Sequence, residues 1–191
     1  MDPVRISVIL STYNQPAWLE KVLWGYHAQQ FRDFEVIIAD DGSGETTATL
    51  IKAMRETVSC PVVHVWQEDN GFRKNTILNK AIAASNGAYI VVSDGDCIPR
   101  SDFLSVHDRY SEAGCFLSGG YFKLPMDIST AITKDDILTG RCFNLKWLKE
   151  RGLKPSFRNN KLTSRGFKAR LLNTLTPTTA TWNGHNASGW K

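Results

Sequence analysis

Runs of hydrophobic residues alternate with amphipathic segments over the first hundred positions of the chain. Successive Val, Ile and Leu residues are typical of strands that are buried on both faces of a parallel sheet. The pattern predicts strands at residues 6–10, 35–39, 61–66 and 89–93, and helices at residues 16–29, 46–58 and 75–85. Regular alternation of strand and helix predicts an α/β fold, in which a mostly parallel central sheet with right-handed crossovers is flanked by helices.

The pattern becomes weaker after residue 99. We expect a helix near residues 102–113, a strand near 116–122 and a helix near 135–151. Residues 158–181 give no clear pattern, and part of that segment is expected to be a mobile loop. A chain of 191 residues has the length of one domain. We therefore treat residues 1–191 as a single domain with two halves, 1–100 and 101–191.

Polar clusters follow three of the predicted strands at the point where each strand ends, whereas the third strand is interpreted as lacking one. The clusters are Ser11-Thr12-Tyr13-Asn14, Asp40-Asp41-Gly42-Ser43 and Asp94-Gly95-Asp96. Each cluster alone is typical of a turn that caps a helix. Because the carboxyl ends of parallel strands form the ligand-binding edge of open α/β sheets, we expect the three clusters to lie close together.

Asp94 and Asp96 are candidates for a cation site. Two carboxylates one residue apart, at the end of a buried strand, can hold a hard cation and the polar groups around it. Mg²⁺ and Mn²⁺ both bind well to oxygen ligands. Neither a GxGxxG nor a GxxxxGK[ST] sequence is present, so the dinucleotide-binding and P-loop interpretations are poorly supported.

The composition is that of a globular domain, with 42% hydrophobic and 22% charged residues. No apolar run approaches the roughly 20 residues that a membrane-spanning helix needs, and the first residues do not resemble a signal peptide. The four cysteines are widely scattered and lack the spacing of zinc ligands. Reduced thiols are typical of a cytosolic protein, so we expect a cytoplasmic location.

The net charge of +4 conceals an asymmetry along the chain. All 19 acidic residues lie at or before Glu150, and eight basic residues follow it. Such a segment favours an anionic partner, which would be the inner face of a membrane, a polyanionic acceptor or a phosphate. A solvated loop followed by a helix with a basic face would give the same pattern. Aromatic residues are sparse in this segment, so we do not expect a nucleic-acid partner.

Three segments carry a resemblance to a known family: SVILSTYNQPAWLEKVL, FEVIIADDGS and GAYIVVSDGDCIP, in this order and spacing. They resemble the inverting nucleotide-sugar glycosyltransferases of family 2, which have the GT-A fold. The longer segment NGFRKNTILNKAIAASNGAYIVVSDGDCIP is similar to the chondroitin-polymerase-like and galactosyltransferase-like branch. The terminal WNGHNASGWK resembles the start of its acceptor-side motif. The resemblance implies a nucleotide-binding half at residues 1–100, an incomplete acceptor-side half at 101–191, and a role in polysaccharide biosynthesis.

The resemblance implies a role for each residue of the donor site. Ser11 and Tyr13 would line the base pocket, and Asp41 would bind a ring nitrogen of the base, which favours uracil. Asp94 would lie near the ribose or a metal-bound water, and Asp96 of this DXD motif would bind the metal, Mn²⁺ or Mg²⁺. The diphosphate and sugar would lie near Arg73, Lys74, Asn79, Gly95, Gly184, His185 and Asn186.

Some of these residues also have simpler interpretations. Arg73 and Lys74 are also compatible with the charges of a solvated loop, and a lone histidine such as His185 is more often a polar contact than a metal ligand. Trp182 and Trp190 would stack on sugar faces or belong to the core. Gly95 would let the backbone approach the sugar nucleotide closely. A divalent ion and a neighbouring cation would stabilise the charge that grows on a diphosphate leaving group.

One part of the family pattern is missing. An inverting displacement needs a general base, which in this family is an Asp or Glu downstream of the terminal motif, and no acid follows Glu150. We therefore expect a truncated form of a UDP-sugar-dependent hexosyl or N-acetylhexosaminyl transferase, with its base beyond Lys191 and a glycan or lipid-linked acceptor. Two alternatives are a nucleotide-sugar-binding module without catalysis and a nucleotidyltransferase. Nucleotidyltransferases usually carry a Gly-rich basic loop where this chain has STYNQP.

Overall fold

A computed structural model describes residues 4–164, 166–175 and 181–191. Its central sheet has six strands in the order β3-β2-β1-β4-β6-β5. The first four strands in this order are parallel, and β6 runs antiparallel to both β4 and β5. The strands are β1 (Ile6–Thr12), β2 (Phe34–Asp40), β3 (Val62–Trp66), β4 (Tyr89–Asp94), β5 (Phe116–Ser118) and β6 (Ala187–Trp190).

Helices cover both faces of the sheet. The longer ones in the first half are α1 (Pro16–His27), α2 (Glu45–Arg55) and α3 (Lys74–Ala84). Residues of α1 and α2 pack with Val8 and Leu10 on one face, and residues of α3 pack with Ile9 and Ile37 on the other. Because side chains alternate along a strand, both faces of β1 need apolar residues, and every residue of this strand is buried.

The second half is built from shorter elements. Its helices are α4 (Phe103–Arg109), α5 (Met126–Ala131), α6 (Lys134–Leu138), α7 (Leu145–Glu150), α8 (Asn160–Thr163) and α9 (Gly166–Leu175), with 3-10 turns at Arg141–Phe143 and Phe157–Asn159. A small cluster of Ile128, Leu148 and Leu153 supports this region. Among the residues described, no helix is both long and apolar enough to cross a membrane.

The α/β fold with a mostly parallel sheet is confirmed, and so are the first four strands and three helices, to within about three residues. The single helix predicted at 135–151 is wrong, because Gly140 takes a left-handed conformation with φ of 72° and ends α6. The strand predicted at 116–122 is shorter, β6 was not predicted, and the helix at 102–113 is reduced to α4. Within 158–181, the described residues include α8 and α9, whereas residue 165 and residues 176–180 lie outside the described part.

Candidate functional site

A cleft of about 470 Å³ opens at the carboxyl edge of the sheet. Strand register brings the three polar clusters together there, because Thr12 pairs with Asp40 and Ser11 pairs with Asp94. Asp41, Asp94 and Asp96 all line this cleft. The edge of the sheet therefore concentrates carboxylates in the position that the sequence predicted.

Asp94 connects the ends of two strands to the start of α3. Its Oδ1 accepts a hydrogen bond from Ser11 Oγ at 2.8 Å and one from Lys74 Nζ at 2.5 Å. The Lys74–Asp94 ion pair is about three-quarters shielded from solvent, so it is screened less than a surface pair. Lys74 is the first residue of α3, and this pair joins α3 to the end of β4.

Asp96 projects beyond the end of β4 and is exposed. Ligand atoms of Asp94, Asp96 and Cys97 all lie within 4.8 Å of one another. Burial, followed by the neighbouring Asp96 charge, raises the pKa of the Cys97 thiol to about 12. The thiol is therefore neutral, and the charged ligands offered are two carboxylates, a donor set that fits Mg²⁺ or Mn²⁺.

Gly95 allows β4 to approach β1 closely. Its backbone N–H donates to Ser11 O at 2.7 Å. A Cβ atom at this position would lie 2.7 Å from the same carbonyl oxygen, closer than real side chains approach. The glycine between the two aspartates is therefore required by the local packing, whatever the cleft binds.

Asp41 is 7% exposed and is held in place by two donors. Gln67 Nε2 donates to its Oδ1 at 2.6 Å, and the backbone N–H of Arg73 donates to its Oδ2 at 2.9 Å. Each carboxylate oxygen can accept more than one hydrogen bond. A ligand with an N–H group in the cleft could therefore still donate to Asp41.

Tyr13 forms one wall of the cleft and is 48% exposed. Its hydroxyl donates to Asp69 Oδ2 at 2.8 Å. The hydrogen bond to the Asp69 carboxylate, together with its charge, raises the pKa of Tyr13. The phenol is thus held by its polar end, which leaves the ring in a position where a flat ligand can stack.

Two residues assigned to the diphosphate side lie away from the cleft. The Arg73 side chain is exposed and does not line the cleft, although its backbone N–H contacts Asp41. Asn79 is exposed on α3 and does not line the cleft either. Among Arg73, Lys74 and Asn79, Lys74 is the residue whose side chain reaches the carboxylates.

A larger cleft of about 1090 Å³ adjoins the first and shares Trp18, Asp94 and Asp96 with it. Gly184 lies at the junction, since a Cβ there would be 3.3 Å from Lys74 Nζ. His185 and Asn186 line the larger cleft, and the His185 ring contacts the Tyr121 ring edge-on at 4.7 Å. Gly184 therefore lies beside Asp94, and His185 and Asn186 share the larger cleft with the acidic pair.

Two aromatic residues of the terminal segment pack against neighbouring rings. Trp182 contacts Phe116 with ring centroids 5.9 Å apart, and Trp190 contacts Tyr89 at 5.2 Å. Neither tryptophan lines either cleft.

Sequence reasoning missed several residues of the site. The polar run Gln67–Asn70 directly follows β3, so the interpretation that the third strand lacks a polar cluster was wrong. Both Gln67 and Asp69 contact predicted site residues. Trp18 lines both clefts from α1, but at helical spacing it resembles an ordinary core residue. His107 belongs to no motif that could be recognised in the sequence.

The fold and the acidic edge of the sheet define an α/β protein with a ligand cleft at the carboxyl ends of its parallel strands. The model of glycosyl transferase family 2 matches residues 7–122, which is more than half of the chain. The chain therefore belongs to glycosyl transferase family 2.

Curated relatives agree with this assignment. The chain is 38% identical over 71 residues to validoxylamine A glucosyltransferase of Streptomyces hygroscopicus subsp. jinggangensis, covering 36% of the chain and 16% of that protein. It is 32% identical over 110 residues to the hyaluronan synthase of Pasteurella multocida, covering 57% of the chain and 11% of the synthase. The chain thus spans only a small part of the relatives it matches.

Solved structures include a mannosyltransferase from Pyrobaculum calidifontis in complex with GDP-Man and Mn²⁺. Its TM-score is 0.49 at 25% identity, over 56% of this chain and 32% of that one.

Proposed function

We propose that this chain is the donor-binding part of an inverting glycosyltransferase that uses a UDP-sugar and a divalent cation. The observation that carries the proposal is the position of Asp94 and Asp96, which line both clefts. A nucleotide in the smaller cleft would place its diphosphate beside these carboxylates, with the sugar in the larger cleft. Membership of family 2 and the two relatives with sugar-transferring names support this arrangement.

The chemistry of the leaving group explains the charges at the junction. When a glycosidic bond to a diphosphate breaks, negative charge grows on the phosphate oxygens. A cation held by Asp94 and Asp96 would supply Lewis-acid stabilisation of that charge. Lys74, already paired with Asp94, is within reach of the same position and would add electrostatic stabilisation.

The smaller cleft suits a flat base that carries a ring N–H. The exposed Tyr13 ring offers a stacking surface, and the buried Asp41 carboxylate offers an acceptor for a ring N–H. Uracil has such an N–H on its base edge, and an unprotonated cytosine presents an acceptor in its place. We therefore infer a UDP-sugar donor, whose sugar is transferred to a glycan or lipid-linked acceptor with release of UDP.

Calorimetric titration with UDP, with and without Mn²⁺, tests the donor site. Wild type is expected to bind UDP at least about tenfold more tightly with Mn²⁺, and Asp96→Asn is expected to lose that dependence. Asp127→Asn, at an exposed position in α5, is the matched control and keeps it. Equal Mn²⁺ dependence in Asp96→Asn and wild type would contradict the metal assignment. In a separate activity assay, release of pyrophosphate from UTP in the presence of a sugar phosphate would favour a nucleotidyltransferase.

We also propose that the basic segment after Glu150 contacts an anionic membrane surface. Arg158 and Lys161 are exposed, and beside them in sequence Phe157 and Phe167 are 68% and 81% exposed. Exposed aromatic and basic residues together are typical of an interfacial membrane contact. A phosphate would use the basic residues but not the aromatic ones.

Sedimentation with vesicles tests this surface. Binding is expected to vesicles that contain phosphatidylglycerol, to weaken in high salt, and to fall severalfold in Phe167→Ser. Phosphatidylcholine vesicles are the control. Equal binding of wild type and Phe167→Ser to the anionic vesicles would exclude the aromatic contact.

A further inference from the structure

His107 lies at the centre of a buried polar network beside the larger cleft. This residue of α4 is 5% exposed. Its Nδ1 lies 2.6 Å from Ser188 Oγ, and its Nε2 lies 3.0 Å from Asn186 Oδ1. Ser188 Oγ in turn lies 2.7 Å from Tyr89 OH. One imidazole therefore joins α4, β4 and β6.

The network permits a single direction of hydrogen bonding. Asn186 Nδ2 donates to Gly120 O at 2.9 Å, so the Oδ1 of the same amide must accept from His107 Nε2–H. A neutral imidazole then accepts at Nδ1 from the Ser188 hydroxyl, which accepts from Tyr89 in its turn. Burial lowers the pKa of His107 to about 4, so the ring is neutral at physiological pH.

The groups around His107 agree with a neutral ring. Its side-chain partners are the uncharged Asn186 and Ser188, and the Phe103 ring lies edge-on at 4.5 Å. The nearest acid in the sequence, Asp108, is paired with Arg5. Among the described residues, no carboxylate is hydrogen-bonded to the imidazole. Such a carboxylate would favour protonation of the ring.

The network ends at the wall of the larger cleft. The backbone of Asn186 takes part as well as its side chain. The Asn186 carbonyl O accepts a hydrogen bond from Gly119 N at 2.8 Å. Asn186 N donates to Asn183 Oδ1 at 2.7 Å. A Cβ at Gly119 would lie 2.3 Å from Asn186 Nδ2, so the two segments pack as closely as a glycine allows. Gly119, Gly120 and Asn186 all line this cleft, which Asp96 also lines.

We propose that His107 is a positioning residue, which orients the Asn186 amide and thereby fixes the Gly119–Gly120 wall against which the donor sugar binds. The identification of the ligand as a sugar rests on the proposed function, whereas the positioning of the wall does not. His107 itself lines the larger cleft, but it is buried and both of its ring nitrogens are bonded, to Ser188 and Asn186, so we assign its effect to the Asn186 amide. Replacing it should therefore affect recognition of the sugar and leave recognition of the nucleotide unchanged.

Hydrogen exchange and calorimetry on His107→Phe test the proposal together. Loss of the bonds to Asn186 is expected to speed exchange at the Gly119 amide about tenfold. UDP affinity is expected to stay within about twofold of wild type, while the preference for UDP-sugars over UDP falls about tenfold. Ser105→Ala on the same helix is the matched control and changes neither quantity. Unchanged Gly119 exchange in His107→Phe would overturn the proposal.

A nitrogen-15 NMR spectrum of the histidine rings provides a readout that does not need the variant. His107 is expected as the Nε2–H tautomer, neutral down to about pH 5. In Asn186→Asp, a carboxylate next to Nε2–H is expected to raise the pKa of this imidazole. An Nδ1–H tautomer in wild type would overturn the network. If wild type binds no UDP-sugar, the proposed function fails, and the Gly119 exchange and the tautomer still decide the role of His107.

Discussion

The two halves of the molecule hold their parts of the site by different means. In the first half, the cleft lies at the ends of β1, β2 and β4, whose residues are almost all buried, and backbone bonds such as Gly95 N to Ser11 O fix the strand ends from which the ligand-facing side chains project. In the second half, the wall of the larger cleft depends on side chains, chiefly Asn183, Asn186 and His107. Position is therefore set by the sheet in one half and by a polar network in the other.

This difference has consequences for how each half responds to change. A ladder of backbone hydrogen bonds tolerates most side-chain substitutions but not an atom placed between strands. A buried polar network is sensitive to the loss of one partner, because the others are then left unsatisfied. Substitutions chosen to separate these behaviours should show whether the contrast is real.

The largest effect is expected from Gly95→Ala. The new Cβ would lie 2.7 Å from Ser11 O and would force β4 away from β1 at the edge that carries Asp94 and Asp96. We expect a loss of about 3 kcal/mol in the free energy of unfolding, by overpacking, and a loss of UDP affinity of about 100-fold. Urea denaturation and calorimetry measure the two quantities.

Gly44→Ala is the matched control for this prediction. A Cβ at Gly44 meets only Asn14 Oδ1, at 3.9 Å, and its φ of −78° suits any residue. Because Gly44 is the N-cap of α2, where Ala is less favoured than Gly, the variant should lose no more than about 1 kcal/mol of stability, and its UDP affinity should not change. Comparable losses in the two variants would show that the close approach of β4 to β1 does not organise the cleft.

Acidification should weaken the fold through His107. Its pKa is about 4 in the folded protein against an ordinary 6.5, so the unfolded chain binds the proton more tightly between these values. The stabilising contribution is fully present above pH 6.5 and is lost as the pH falls towards 4. The change in pKa from 6.5 in the unfolded chain to about 4 in the folded protein corresponds to about 3 kcal/mol in the free energy of unfolding.

Urea denaturation at several pH values between 7 and 4 checks this prediction. His107→Phe cannot take up a proton at this position and should show a much flatter dependence over the same range. Parallel curves for wild type and the variant would mean that the polar network does not depend on a neutral imidazole, which would weaken the contrast between the halves.

Sequence reasoning succeeded where local pattern and global fold agree. Runs such as Ile6–Thr12 have no other good interpretation than a buried strand, and parallel pairing then brings Asp41, Asp94 and Asp96 to one edge without further information. It failed over 135–151, where apolar residues at helical spacing continue past Gly140. The turn at Gly140 is a conformational choice of one residue, and periodicity does not report it.

Contacts between residues far apart in the sequence could not be predicted, for a different reason. His107 and Asn186 are 79 positions apart, and their bond depends on how α4 packs beside β6. Gln67 similarly reaches Asp41 only because β3 lies next to β2. The resemblance supplied the residue types of the donor site, whereas the residues that hold them in place emerged from the three-dimensional arrangement.

A smaller effect separates two neighbouring acids of α6. Asp136 forms a capping box with Thr133 and is 5% exposed. Although burial opposes its charge, hydrogen bonds from Thr133 and the nearby Arg141 lower the pKa of its carboxyl. Asp136→Ala should cost about 1 to 2 kcal/mol of stability. Asp135→Ala, which removes an exposed partner of Arg141, should cost less than about 0.5 kcal/mol. Equal losses from urea denaturation would contradict the assigned roles.

The smallest effect is expected at Gly140, and it addresses the point at which the predicted helix fails. Its φ is 72°, and a Cβ there would meet no heavy atom within 4 Å, so the cost of Gly140→Ala is conformational alone, about 1 kcal/mol. Gly140→Asn should cost less, because Asn tolerates the left-handed region better. If Gly140→Ala were instead neutral or stabilising in urea denaturation, α6 and α7 would be able to join as the continuous helix that the periodicity predicts. The conformation of this part of the second half would then be less strictly determined than that of the sheet edge.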